Sequence, residues 1–270
     1  VLTLMPFSIA ELRRYRTDWT AFDLAVTGFF PPVHEQRLKP GRFFNGYVQT
    51  YVERDVRAIV NFRDLRPFQQ FLTLLAGRIG QVVNYTSLSN DIGVSSTTIK
   101  SWIGVLKASF LVFELPPFFE NIRKRVVKSP KIYFTDTGLA AHLLGLGSPE
   151  QAMRDPARGG LYENLVILDV VKTLLNRGQQ PDLYFYRDTH GTEVDLVIRQ
   201  GRKLLPVEIK SASTFTPEFL RGIEALRKTI GNRCRPGAVL YNGPEPFQIQ
   251  TTQVLNPMLH AADMGRLLET

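Results

Sequence analysis

Two runs in the second half of the chain, Thr192-Glu193-Val194-Asp195-Leu196-Val197-Ile198 and Val207-Glu208-Ile209-Lys210, have the alternating or continuous apolar character of strands. Between them, Gly201-Arg202 offers the two central residues of a hairpin, with glycine where a type II′ turn needs it. That register sets Asp195 directly opposite Glu208. Residues two apart share a strand face, so Glu208 and Lys210 project together and Val207 and Ile209 point the other way. Upstream, residues 161–175 are apolar nearly all round and predict a long, largely buried helix. Glu163 falls near its first turn, where the helix dipole favours a carboxylate. Residues 182–187 predict a third strand, and 217–230 a helix that Gly231 ends. Residues 236–241 predict a short buried strand, 247–254 an edge strand and 258–268 a closing helix. Strand, helix, strand favours a right-handed crossover in a mixed sheet.

The first half reads differently. As far as about residue 66 it predicts short helices broken by Pro31-Pro32 and Pro40-Gly41, and Pro67 opens the next element at a favourable helix position. Helical patterns follow at 68–77, around 87–92, and at 95–106, with a turn at Gly93. Ser95 or Ser96 can cap the last of these, whose apolar stripe is Ile99, Trp102, Ile103 and Leu106. Helix, tight turn, helix is the helix-turn-helix pattern. Strands at 110–115 and 131–134, with a basic stretch between them, complete the pattern of a winged helix.

Charge sharpens this division. Of a net charge of +8, residues 149–270 hold 15 Lys and Arg against 14 Asp and Glu, so the excess lies in the first half. Arg123, Lys124, Arg125, Lys128 and Lys131 form a basic stretch with no acid among them. Such a wing can lie along a DNA backbone with salt-sensitive contacts, and a recognition helix can read the major groove, for which this one offers only Lys100 and Lys107 with the hydroxyls of Thr97, Thr98 and Ser101. At 270 residues, 44% apolar and 21% charged, the chain fits a globular protein of two or three small domains. One cysteine, Cys234, makes no internal disulfide and fits a reducing, cytoplasmic setting. No apolar run is long enough to cross a bilayer, so no membrane partner is expected.

The acidic residues carry the candidate chemistry. Two carboxylates facing each other destabilise a sheet unless something positive lies between them, and a divalent cation held by oxygens is the natural candidate. Asp195, Glu208 and the Ile209 carbonyl are the expected ligands of Mg²⁺ or Mn²⁺, with Glu163 turning inward as an extra ligand. Lys210 then assists an attacking water or contacts a phosphate. The plainer alternative is a same-face Glu-x-Lys ion pair on a solvated strand, contributing only ~0–1 kcal/mol. With only four histidines and one cysteine, no structural zinc site is expected.

Glu163, then Asp195, then Glu208-x-Lys210 resembles the restriction-endonuclease-like superfamily with its PD-(D/E)xK signature, Val194 standing where the proline is usual. The surrounding motifs resemble the domain of unknown function found behind the ATPase core of many bacterial and archaeal AAA-type ATPases. They are Leu4-Met5-Pro6-Phe7-Ser8-Ile9-Ala10-Glu11-Leu12, Tyr51-Val52-Glu53-Arg54-Asp55-Val56-Arg57, Tyr133-Phe134-Thr135-Asp136-Thr137-Gly138-Leu139 and Leu161-Tyr162-Glu163-Asn164. The resemblance implies an α/β multi-domain chain. Residues 1–66 would be a helical lid and connector, 67–148 a winged helix-turn-helix domain and 149–270 a restriction-endonuclease-like mixed α/β sheet. The catalytic residues implied are Glu163, Asp195, Glu208 and Lys210. Arg54 and Arg57 would serve an ATPase core or simply line a solvated helix. The chain has no Gly-Lys dipeptide and hence no P-loop, so ATP is expected only in an upstream core and no ATPase activity from this piece alone. The opening Val1-Leu2-Thr3-Leu4 reads like a strand already in progress, as in a fragment cut just downstream of that core. Oligomers would form through the core. The alternative is a non-catalytic adaptor that binds a protein or nucleic acid through exposed aromatics such as Phe118-Phe119 or Phe247.

Overall fold

A computed structural model describes residues 4–52, 65–119, 129–188 and 190–269 of the protein. Arg54, Arg57, Arg123, Lys124, Arg125 and Lys128 lie outside the described residues.

The first helices are short, and each begins on a residue that fixes its first turn. Ser8 and Glu11 form a capping box on α1 (Ile9–Leu12), and Thr20 and Asp23 do the same on α2 (Ala21–Thr27). The helices α3 (Pro31–Glu35) and α4 (Pro40–Tyr47) open on prolines, whose missing N–H is no loss there. Next come α5 (Arg66–Ala76), α6 (Tyr85–Ile92) and α7 (Ser96–Ala108). Asn84 caps α6, Gly93 ends it at φ +78°, and Ser95 caps α7 through the Thr98 amide. The predicted stripe on α7 is buried, with Trp102 between the rings of Phe68 and Phe71, each 5.3 Å from it. Two antiparallel strands follow, β1 (Val112–Leu115) and β2 (Lys131–Phe134).

The second half is a six-stranded mixed sheet covered on both faces. Its strands are β3 (Leu183–Arg187), β4 (Glu193–Gln200), β5 (Lys203–Lys210), β6 (Ala238–Tyr241), β7 (Phe247–Ile249) and β8 (Thr252–Leu255), in the order β3-β4-β5-β6-β8-β7. The first three strands run antiparallel, β5, β6 and β8 run parallel, and β7 returns antiparallel at the edge. Before the sheet come α8 (Thr137–Leu143), α9 (Pro149–Arg154) and the long α10 (Arg158–Asn176). Leu205, Val207, Ile209 and Leu240 join the core that holds α10, whereas Val197 and Leu204 pack with Leu226 and Ile230 of α11 (Arg221–Ile230). A last helix, α12 (Ala261–Leu267), closes the chain. Mixed α/β architecture with helices and a multi-stranded sheet is therefore present.

Several elements differ from expectation. The predicted helix at 217–230 starts as a 3-10 turn, Pro217–Leu220, before α11, although Gly231 ends it at φ +58° as expected. The single edge strand at 247–254 is a hairpin of β7 and β8, folded at Gln250 with φ +53°. Helix α10 begins at Arg158, so Glu163 lies in its second turn and gains less from the helix dipole than a first-turn acid would. Phe118 is not an exposed aromatic: it is buried, donates its N–H to the Phe185 carbonyl at 2.6 Å, and lies beside β3. The stretch Pro116–Phe118 thereby covers the open edge of the sheet, which otherwise invites pairing with another chain.

The stretches that carry the resemblance turn out to fasten the two halves. Asn164 on α10 pairs with both backbone groups of Phe134, at 2.8 Å each. Asp169 accepts the Ile9 N–H at 2.7 Å, and Lys172 donates to the Phe7 carbonyl at 3.0 Å. Buried residues from Ile9 to Leu268 form one continuous cluster around α10. The helix carrying Glu163 is thus held from both sides.

Candidate metal centre

The β4–β5 turn has positive φ at Gly201 (+60°) and not at Arg202, as a type II′ turn requires. The ladder runs from Gln200↔Lys203 to Leu196↔Val207, the predicted register. Its next step sets Asp195 against Glu208. There the pairing ends, because the Ile209 N–H donates to Asp195 Oδ2 at 2.8 Å. The Ile209 amide thus ties the aspartate to the strand that carries Glu208 and Lys210. Glu208 faces α11, where Gly222 makes room for it. A Cβ at 222 would lie 3.2 Å from Glu208 Oε2 and 2.1 Å from the Glu193 carbonyl.

Lys210 occupies the place where a cation was expected. Its Nζ lies 2.6 Å from Glu208 Oε1 and 3.1 Å from Asp195 Oδ2, so one ammonium bridges both carboxylates. Glu163 approaches from α10, and its Oε1 accepts from Lys131 Nζ at 3.0 Å and from the Tyr133 hydroxyl at 2.5 Å. Lys131 also meets Glu193 at 2.5 Å. Lys131 therefore does not belong to a solvated basic wing. It is 2% exposed, turned inward by the strand alternation that puts Tyr133 on the same side. Among the described residues no group of three or more His, Cys, Asp or Glu is arranged to hold a metal ion. The ammonium groups of Lys131 and Lys210 pair with the acids.

The acids of this cluster outnumber its ammonium groups. Four acids, Glu163, Glu193, Asp195 and Glu208, face Lys131 and Lys210, with Arg187 reaching only Glu193, at 3.7 Å. Burial and then the Asp195 charge push Glu163 up to about 7, against Lys131 and Tyr133. Burial and Asp195 likewise push Glu208 up to about 8, against Lys210. Burial opposes the charge on both lysines, yet the acids outweigh it and raise both. Glu208 Oε2 is buried with no hydrogen-bond partner. A buried acceptor left unpaired costs ~1–3 kcal/mol, more when charged.

The raised acids make stability depend on pH with a definite sign. Unfolded, both glutamates titrate near 4.5, and folded, near 7 and 8. Between those limits the folded state binds more protons, so unfolding free energy falls as pH rises. Thermal melts of the metal-free protein are expected to show a midpoint that declines from pH ~5 to ~8. A midpoint that rises steadily over that window would contradict the assignment.

The structure brings Glu163, Asp195, Glu208 and Lys210 together. Lys100 is elsewhere, on α7, with its Nζ 5.3 Å from the Tyr85 ring centroid. Lys131, Tyr133 and Glu193 are the site residues that reading the sequence missed. A lysine and a tyrosine two apart in an otherwise apolar strand were the available signal.

Comparison with known proteins places two family models on the chain. Residues 19–150 match a domain of unknown function (DUF8612), and residues 158–260 match another (DUF4143). Lys131 and Tyr133 lie in the first match and the other site residues in the second. The chain is 29% identical over 236 residues to uncharacterized proteins of Mycobacterium bovis and Mycobacterium tuberculosis, covering 87% of this chain and 52% of each relative. An uncharacterized protein of Haemophilus influenzae is 24% identical over 189 residues, 67% of this chain and 44% of its own. The chain spans about half the length of the curated relatives it matches. No solved structure matches it. Among the described residues no helix is long and apolar enough to cross a membrane.

Proposed function

We propose that residues 149–270 form a restriction-endonuclease-like domain whose acidic cluster binds Mg²⁺ or Mn²⁺ and hydrolyses phosphodiesters. In this reading a winged helix at 67–148 contacts DNA, within a cytoplasmic protein related to AAA-type ATPases. The observation that carries the reading is Glu208 Oε2, buried and unpartnered in a cluster with more acids than ammonium groups. Hard carboxylate oxygens with one lone acceptor are a donor set that suits a small divalent ion. Asp195 and Glu208 would hold it, with the Ile209 carbonyl as the third donor and Glu163 at the margin.

Such an ion would supply Lewis acidity toward a phosphoryl oxygen. The other tasks fall to the chain itself. Lys210 Nζ already lies against both carboxylates, within reach of a phosphate held there, and its ammonium donates to phosphoryl oxygen. Glu163, held near neutrality, exchanges a proton at working pH. Arg123, Lys124, Arg125 and Lys128, together with Lys100, would bind the DNA backbone and bring a strand to the site. ATP turnover would belong to an upstream core.

One observation favours the adaptor reading instead: Lys210 already bridges the two facing carboxylates. Calorimetric titration with Mn²⁺, beside a plasmid-cleavage assay, separates the two. Saturable binding that Glu208→Gln removes, with Mn²⁺-dependent nicking, is expected. Neither heat nor nicking would leave the adaptor.

A further inference from the structure

Lys131 has no place in the chemistry just described, yet it enters the cluster at Glu163 and Glu193. It comes from β2, outside the sheet domain, and its backbone is fixed by pairing with Leu115 and bridging to Val82. Its side chain runs past the Phe185 ring, 5.5 Å from the centroid, to end between Glu163 and Glu193. A buried ammonium persists only where acids hold it, and here it is 2% exposed. Glu163 is the acid it shares with the metal-binding reading. Asp195 also acts on its charge. Across the cluster, Glu208 is 8% exposed and presents its unpartnered oxygen.

We propose that Lys131 is the resident counter-cation of the acidic site, competing with a divalent metal ion, so that the β1–β2 hairpin sets the metal affinity of the sheet domain. This rests on the metal-site reading above. The physical ground is that cations held at neighbouring carboxylates of one largely buried cluster, with Glu163 in common, repel each other at short range, where little water screens them. Lys210 lies at the end of β5, 31% exposed, and can withdraw its tail toward solvent. Lys131 cannot. It leaves only if Glu163 changes partner or the hairpin shifts against α10. A metal-binding site in the sheet domain is thereby controlled by a segment that the domain does not contain.

Titration of the whole chain with Mn²⁺, followed by calorimetry, tests this on the wild type, Lys131→Met and Lys131→Arg. The methionine variant is expected to bind Mn²⁺ on the order of tenfold tighter or more. Arginine, which keeps the charge, is expected to bind as the wild type does. Equal or weaker binding by the methionine variant, with Glu208→Gln still abolishing it, would overturn the counter-cation role and leave the metal site standing. No binding by any of them would overturn both. Should Lys131→Met not melt cooperatively, reductive methylation of the wild type decides. Lys131 is expected to be protected without Mg²⁺ and modified with it, read by peptide mass spectrometry, and protection in both conditions would overturn the proposal.

Discussion

Asp195→Asn is expected to lower Mn²⁺-dependent cleavage by roughly 100-fold or more, since even groups that merely orient a metal ligand are worth 10–100-fold. The same change is expected to leave the metal-free protein as stable as before, or more so. Asparagine keeps an oxygen for the Ile209 N–H, which the aspartate accepts at 2.8 Å, so the parting of β4 from β5 survives. What disappears is one negative charge, the neighbour that most raises both Glu163 and Glu208 after burial itself. Relief of that repulsion offsets the lost Lys210 contact, and the decline of the melting midpoint with rising pH becomes shallower. Lost cleavage with retained or increased stability is the pattern of a site maintained at the expense of the fold. Cleavage at the wild-type rate would remove Asp195 from the chemistry. A midpoint several degrees lower would make it a structural cap on the Ile209 amide.

What was legible in the sequence depended on local rules. The hairpin at Gly201-Arg202 follows from turn chemistry and alternation, and it fixes which side chains face Asp195. The caps at Ser95 and Gly93 are local too. What escaped depended on the approach of distant segments. Lys131 ends a run of basic residues and so reads as solvated, and only the packing of β2 against α10 makes it internal. The start of α10 escaped for a similar reason. Arg158-Gly159-Gly160 has poor helix propensity, yet Gly160 is where the Ile79 backbone comes closest, 2.6 Å from where a Cβ would be. The glycine serves that contact, and tertiary packing carries the helix through it. Gln250, at positive φ without glycine, likewise hid the turn between β7 and β8.

Asp136→Ala is expected to cost ~3–5 kcal/mol of stability, because it strips several buried partners at once. The carboxylate is 1% exposed. Its Oδ2 accepts the Phe29 N–H at 2.7 Å, and its Oδ1 accepts those of Gly138 and Leu139, at 2.8 and 3.2 Å, capping α8. Gly28 is required beside it, since a Cβ there would come within 2.3 Å of Oδ1 and the backbone has φ +76°. Asp136 also supports the charge of Lys172, whose ammonium lies 3.9 Å from the Phe29 ring centroid and which burial lowers to about 8 despite Asp136 and Asp169. Between about 8 and 10.5 the unfolded chain binds the lysine proton more tightly than the folded one, so stability from this group rises with pH. Without Asp136 the folded value drops further and that window widens toward neutrality. Urea unfolding at two pH values checks both parts: a large loss at neutral pH that narrows at high pH. A loss within ~1 kcal/mol would mean that the buried amides find other acceptors. Because Lys172 and Glu163 share α10, a shift at this junction would move the helix that carries Glu163. Mn²⁺ affinity measured on Asp136→Asn, which keeps an acceptor, would then report how far the metal centre depends on the junction beneath it.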